Sequence, residues 1–168
     1  MKKRFLALLL AVMFIVGATS IPAGAHTYDR AVEIHIQYGL DVENEGFICI
    51  MKDNTSACYV NYNTDMDGNA ASGPATYEAI IYGSPNGRDG SFVDCTRYSS
   101  GGAARTPAIV TKGTEGLVRQ DVKEIYGGTA FGQIYGRARS TSDSGRTVTG
   151  KWSVDSIDYG YTYYNRIA

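Results

Sequence analysis

The residues best spaced for chemistry are Asn63, Asp65 and Asp67, in the run Asn63-Thr64-Asp65-Met66-Asp67-Gly68. Oxygen ligands at alternate positions let a loop curl around one hard cation, and the glycine permits the sharp bend that opens a calcium loop. The bidentate carboxylate such a loop carries at its twelfth position is missing, because Pro74 stands there and Glu78 comes four residues later. The competing reading is a solvated turn rich in Asn, Asp and Gly. No other cofactor is expected.

Two histidines, His26 and His35, are the available imidazoles. At a mature N-terminus, His26 could bind copper through its amine and ring, with His35 as second ligand only if the N-terminal segment folds back, since a straight strand keeps the two far apart; the other reading is that any residue may follow a cleavage site. Hydrolysis by a hydroxyl, an imidazole and a carboxylate would also need one of them. No G-x-S-x-G motif accompanies them. Among 17 acidic residues no spacing selects a pair for glycoside hydrolysis.

The tyrosines point to binding. Tyr59 alternates with Cys58 and Val60 and shares a strand side with Asn61 and Asn63, where its ring could stack on a sugar or a partner. Tyr159, Tyr161 and Tyr163 alternate as well and lie on one side of an extended tail. Cross-strand packing that holds a sheet together is the alternative role for these rings. Arg137 and Arg139 share a strand face and suit an anionic group or a charged, aggregation-resistant edge.

Cys49 and Cys58 flank a turn at Asp53-Asn54. A two-residue loop there would set them opposite each other as a disulfide, with Cys95 left over. Three buried free thiols are the other reading. No C-x-x-C pair exists for a metal.

The elements that must position these residues begin after a leader. Lys2, Lys3 and Arg4 precede an apolar run over residues 5–18, and Ala23-Gly24-Ala25 is a small-x-small cleavage site. The pattern predicts a secretory signal peptide over residues 1–25 and a single secreted domain over 26–168, starting at His26. The run is shorter than the about 20 residues of a spanning helix, so membrane contact is expected only during export. Removing the leader takes three of the 16 basic residues and none of the 17 acidic ones, leaving a mildly acidic domain. Sequence-independent nucleic-acid binding, which needs Lys and Arg against phosphates, is not expected.

Within the domain, Val32, Ile34, Ile36 and Tyr38 alternate with Glu33, His35 and Gln37, which predicts a half-buried strand. Further strands are predicted over residues 47–52, 57–63, 76–82, 91–98, 107–112, 129–139 and 146–155, with turns rich in Gly, Asn and Ser between them. Residues 117–126 fit a helix, with Val118, Val122, Ile125 and Tyr126 in helical spacing, and also fit a hairpin, which is the reading taken here. The tyrosine-rich tail could add one more strand. The expectation is an all-β domain of about eight or nine strands, an antiparallel β-sandwich or small barrel with at most one short helix. Trp152, between Val148 and Val154 on the last strand, is its core anchor.

The segment Gly150-Lys151-Trp152-Ser153-Val154-Asp155-Ser156 resembles the C-terminal G-x-W-S-P-D-S signature of small exported proteins of Gram-positive bacteria. These are similar in layout to lactococcin-type bacteriocins, which are β-sandwiches. Val154 departs from the pattern, where proline is usual. The size, the leader, Asp94-Cys95-Thr96 and the arginine-rich strand before the signature accord with it. The resemblance implies a secreted β-sandwich that antagonises other bacteria at the cell envelope, and it supplies no catalytic residue. The function expected is thus non-enzymatic binding to a cell-surface or extracellular target. The alternatives are a small secreted hydrolase acting on polysaccharide or peptide, and a self-associating extracellular structural protein.

Overall fold

Alternation builds the first strand. Val32 and Ile34 turn inward and are buried, while Glu33 and His35 face solvent, so β1 (Arg30–His35) is half-buried. In the computed structural model, which describes residues 29–46, 48–55, 57–96, 107–156 and 160–165, nine more strands follow. They are β2 (Val42–Glu43), β3 (Ile50–Met51), β4 (Cys58–Asn61), β5 (Thr76–Ser84), β6 (Val93–Asp94), β7 (Ala108–Thr111), β8 (Glu115–Val118), β9 (Phe131–Ala138) and β10 (Thr147–Ser153). One short helix, α1 (Val122–Tyr126), and a 3-10 turn at Thr141–Asp143 complete the described elements. The leader and His26 lie outside the described residues.

The chain is an all-β, antiparallel sandwich. One sheet has the order β1-β10-β4-β8; the other has β2-β9-β5-β6, with β3 also on β9 and β7 also on β5. Val32, Ile34, Val60, Tyr62, Val148 and Trp152 face Tyr77, Ala79, Ile81, Ile134 and Ala138 across the core. Trp152 is fully buried there. Gly150 on the same strand has a steric reason, since a Cβ on it would lie 2.5 Å from the Asn61 carbonyl oxygen on β4.

The strand count differs from expectation in two places. Residues 42–51 supply two short strands, β2 and β3, on one edge of β9, where only a run at 47–52 was expected. Residues 117–126 divide: Leu117 and Val118 finish β8, and residues 122–126 form α1 rather than the return of a hairpin.

Two asparagines close the sandwich. Asn44, 1% exposed, takes the Glu33 amide on its Oδ1 at 2.6 Å and donates from Nδ2 to the Ala31 carbonyl at 2.9 Å, while its own backbone amide bonds Ile134 of β9. Its carboxamide therefore acts as a short strand on the free edge of β1 and joins the two sheets. At the opposite edge, Asn165 does the same for Arg119, accepting from its amide at 2.8 Å and donating to its carbonyl at 3.0 Å. Backbone bonds between Leu117 and residues 162 and 164 lay the C-terminal tail beside β8.

The expected Cys49–Cys58 disulfide does not form; all three cysteines are free thiols. The reason is topological. Cys49 precedes β3 in one sheet, Cys58 opens β4 in the other, and the chain between them crosses the sandwich instead of turning back on itself. Cys49 faces the Gly87 carbonyl at 3.6 Å and Cys58 the Val154 carbonyl at 3.2 Å. Burial pushes the Cys58 thiol up to about 12 and the Cys95 thiol up to about 11, which keeps both protonated.

Two outcomes follow from this architecture. Asn44→Ala should lower unfolding free energy in urea by about 1–3 kcal/mol, because it strands two edge groups of β1; a change within error would mean that water serves that edge equally well. A reductant should leave the urea midpoint unchanged, and all three cysteines should alkylate in denaturant without prior reduction.

Candidate functional site

The longest ladder places a polar cluster on the outer face of the six-stranded sheet. β5 and β9 pair from Tyr77↔Ala138 to Ser84↔Phe131. Tyr77, Ala79 and Ile81 face the core, so Glu78, Ile80, Tyr82 and Ser84 turn outward, beside Arg137, Tyr135, Gln133 and Phe131 of β9. Asp41, just before β2, reaches the same face.

The cluster is organised around Asp41. Arg137 Nε donates to Asp41 Oδ1 at 2.7 Å, and a second guanidinium nitrogen contacts the same oxygen. The third guanidinium nitrogen lies 4.0 Å from Glu78 Oε2. Tyr82 donates its hydroxyl to the other Asp41 oxygen at 2.8 Å. Its ring stacks on Tyr135 with centroids 4.0 Å apart and an angle of 26°. The Tyr135 hydroxyl in turn donates to Glu43 at 3.4 Å. Burial, followed by the hydrogen bond to Asp41, holds the Tyr82 phenol well above its ordinary value. Burial and the neighbouring Glu43 carboxylate push Tyr135 up to about 12.

Gln133 lies in this row with 0% exposure, and neither its amide nitrogen nor its amide oxygen has a hydrogen-bond partner. Beyond it, residues 85–91 fold against Phe131, where a Cβ on Gly87 would come within 3.0 Å of the ring. Ser84 fixes that loop by accepting the amides of Asn86 and Gly87 at 3.2 and 3.1 Å. An aromatic pair, a braced guanidinium and a buried, unsatisfied carboxamide thus share one side of the sheet. Among these residues only Arg137 stood out in the sequence. Alternation marks 78, 80, 82 and 133, 135, 137 as sharing sides of their strands, but their juxtaposition needs the β5–β9 register.

The other expected site residues are placed elsewhere. Tyr59 is buried, at 4% exposed, which corrects the expectation of an open stacking ring: its hydroxyl donates to Glu115 at 2.5 Å, Asn61 donates to it at 3.0 Å, and Tyr161 covers its ring at 5.2 Å. Tyr163 lies under Arg119, whose guanidinium carbon is 3.9 Å from the ring centre. These rings belong to the four-stranded sheet's outer side and hold the tail to β8. Tyr159 lies outside the described residues. Arg139 is exposed just past the end of β9. In the loop with Asn63, Asp65 turns its carboxylate onto its own backbone: Oδ1 accepts from Asp67 at 3.0 Å and Asn69 at 2.8 Å. Among the described residues no group of three or more His, Cys, Asp or Glu could hold a metal ion.

His35 does meet a hydroxyl and a carboxylate. Nδ1 lies 2.6 Å from Thr147 Oγ1, its cross-strand neighbour, and Nε2 lies 2.7 Å from Glu45. The line sits on open sheet surface, with the His35 and Glu45 side chains 57% and 47% exposed. Nucleophilic catalysis draws its strength from a water-excluded site, and this position supplies none.

The raised phenols set a pH window. A fold that favours the neutral phenol contributes its full stability below the ordinary value of 10.0 and loses it as pH climbs through the folded value. Tyr135 and Tyr164, both pushed by burial to about 12, therefore predict a urea midpoint that drops between pH 10.0 and about 12. A midpoint flat across that window would contradict their burial. No protein-family model, curated protein or solved structure matches the chain in comparisons with known proteins.

Proposed function

We propose that this is an exported, non-enzymatic β-sandwich that binds a target at or outside the cell surface through the outer face of its six-stranded sheet. The observation that carries the reading is Gln133, buried with both amide ends unsatisfied beside the Tyr82–Tyr135 stack and the Arg137–Asp41 pair. An unpaired buried polar group costs about 1–3 kcal/mol, and because Gln133 is 0% exposed a partner would satisfy it only by displacing the side chains that cover it. Stacked aromatic faces beside hydrogen-bonding carboxylates suit a hydroxyl-rich polymer such as a wall glycan. The resemblance of residues 150–156 to the exported bacteriocin-like proteins supports the specific version, a cell-wall-directed role. Self-association through open strand edges is disfavoured, since Asn44 and the C-terminal tail cover both edges of the four-stranded sheet.

Retention of the purified chain on intact Gram-positive cells and on isolated wall fractions tests the reading. The parent should be retained, and Gln133→Leu and Tyr135→Ala should each weaken retention by about tenfold or more while keeping the parent's far-ultraviolet circular dichroism. No retention of the parent, or retention indifferent to both substitutions, overturns it.

A further inference from the structure

A fully buried lysine lies against an aspartate far away in sequence. Lys52 follows β3 and is 0% exposed. Its Nζ lies 2.7 Å from Asp155 Oδ1, just past the end of β10, and donates to the Val154 carbonyl at 2.8 Å. Asp155 Oδ2 accepts the Asp53 amide at 2.8 Å. Cys58, fully buried, shares the Val154 carbonyl with the lysine. The pair joins the edge of the six-stranded sheet to the last strand of the four-stranded one, across 103 positions of sequence.

The geometry points to an intramolecular isopeptide bond between Lys52 and Asp155, independent of the binding reading above. Lys52 is fully buried while the Asp155 side chain is 19% exposed, and desolvation of the lysine offsets much of the attraction between them. Amide formation needs the neutral amine beside the carboxylic acid, the form that one proton crossing the 2.7 Å contact supplies. The neutral Nζ is then a nucleophile held in contact with the carboxyl group, the arrangement in which effective molarities become very large. The roles divide cleanly. The Val154 carbonyl orients Nζ, and the Asp53 amide polarises Oδ2 and faces the oxyanion of the tetrahedral adduct. Oδ1 is the leaving oxygen. The Nζ–Cγ bond forms, the Cγ–Oδ1 bond breaks, and Oδ1 departs as water with two of the three protons of the lysine ammonium. Nothing is oxidised or reduced and no co-reactant is required. The product is a secondary amide tying β3 to β10.

Tryptic mapping of the purified full chain by mass spectrometry tests this. The expected result is a branched peptide joining the segments around Lys52 and Asp155, lighter than its two parts together by one water, with no cleavage after Lys52. Lys52→Arg keeps the positive charge but cannot form the amide under these conditions, and should give linear peptides of full mass. Linear peptides alone from the parent chain overturn the proposal, without recourse to any variant's folding. A missing water that persists in Lys52→Arg overturns it too, since that water would have left from another site.

Discussion

The pairing of β5 with β9 is the constraint on which the rest depends. It is the longest ladder among the described residues, and its register decides which side chains reach the core and which form the outer cluster. A slip of one residue would turn Tyr77, Ala79, Ile81 and Ile134 outward and bring Glu78, Gln133 and Arg137 into the apolar interior. Burying an unpaired carboxylate or amide there costs more than the alternative packing could return. Core and candidate site are therefore two faces of one ladder, and neither can be altered in register without the other.

The sheets would still splay without their side links. The protein covers strand edges with carboxamides, Asn44 on β1 and Asn165 after β8, each presenting a donor and an acceptor as a peptide unit does. On the side of α1, Asp121 bonds Cys95 and Thr96 bridges Gln120, which brings the chain after β6 against the chain after β8. Lys52 and Asp155 add a tie near the end of β10. On the four-stranded sheet, edges covered in this way offer little to a second copy in search of a strand to pair with.

Much of this is legible in the residues. Val32 and Ile34 alternate with Glu33 and His35 because β1 is buried on one side, and that periodicity needs no tertiary knowledge. The all-β class follows from repetition of such stretches between turn residues. Residues 117–126 carried two signals at once: the helical spacing belongs to Val122, Ile125 and Tyr126, while Leu117 and Val118 belong to a strand. The cysteines misled because nine positions and a turn between them look like a hairpin. The information that breaks the hairpin is Lys52, whose burial goes with a chain that crosses between sheets, and a lysine between an apolar run and Asp53-Asn54 gives no sign that it will be buried. The outer cluster was legible only as alternation. Asp41 and Arg137 are 96 positions apart, and their meeting rests on a register that periodicity does not determine.

Gln133 and Trp152 both leave buried polar atoms without partners, yet packing explains only one of them. An aromatic ring of this size buries roughly 150–250 Å², worth about 4–6 kcal/mol at ~25 cal/mol per Å², which outweighs an unsatisfied indole N–H at about 1–3 kcal/mol. Glutamine has two methylenes, worth about 0.8 kcal/mol each, set against two unsatisfied amide ends at that same cost of about 1–3 kcal/mol. Leucine or methionine would fill the position more favourably for the fold alone. Packing therefore gives no account of the carboxamide at 133, which sits fully buried next to two stacked tyrosines and a braced arginine.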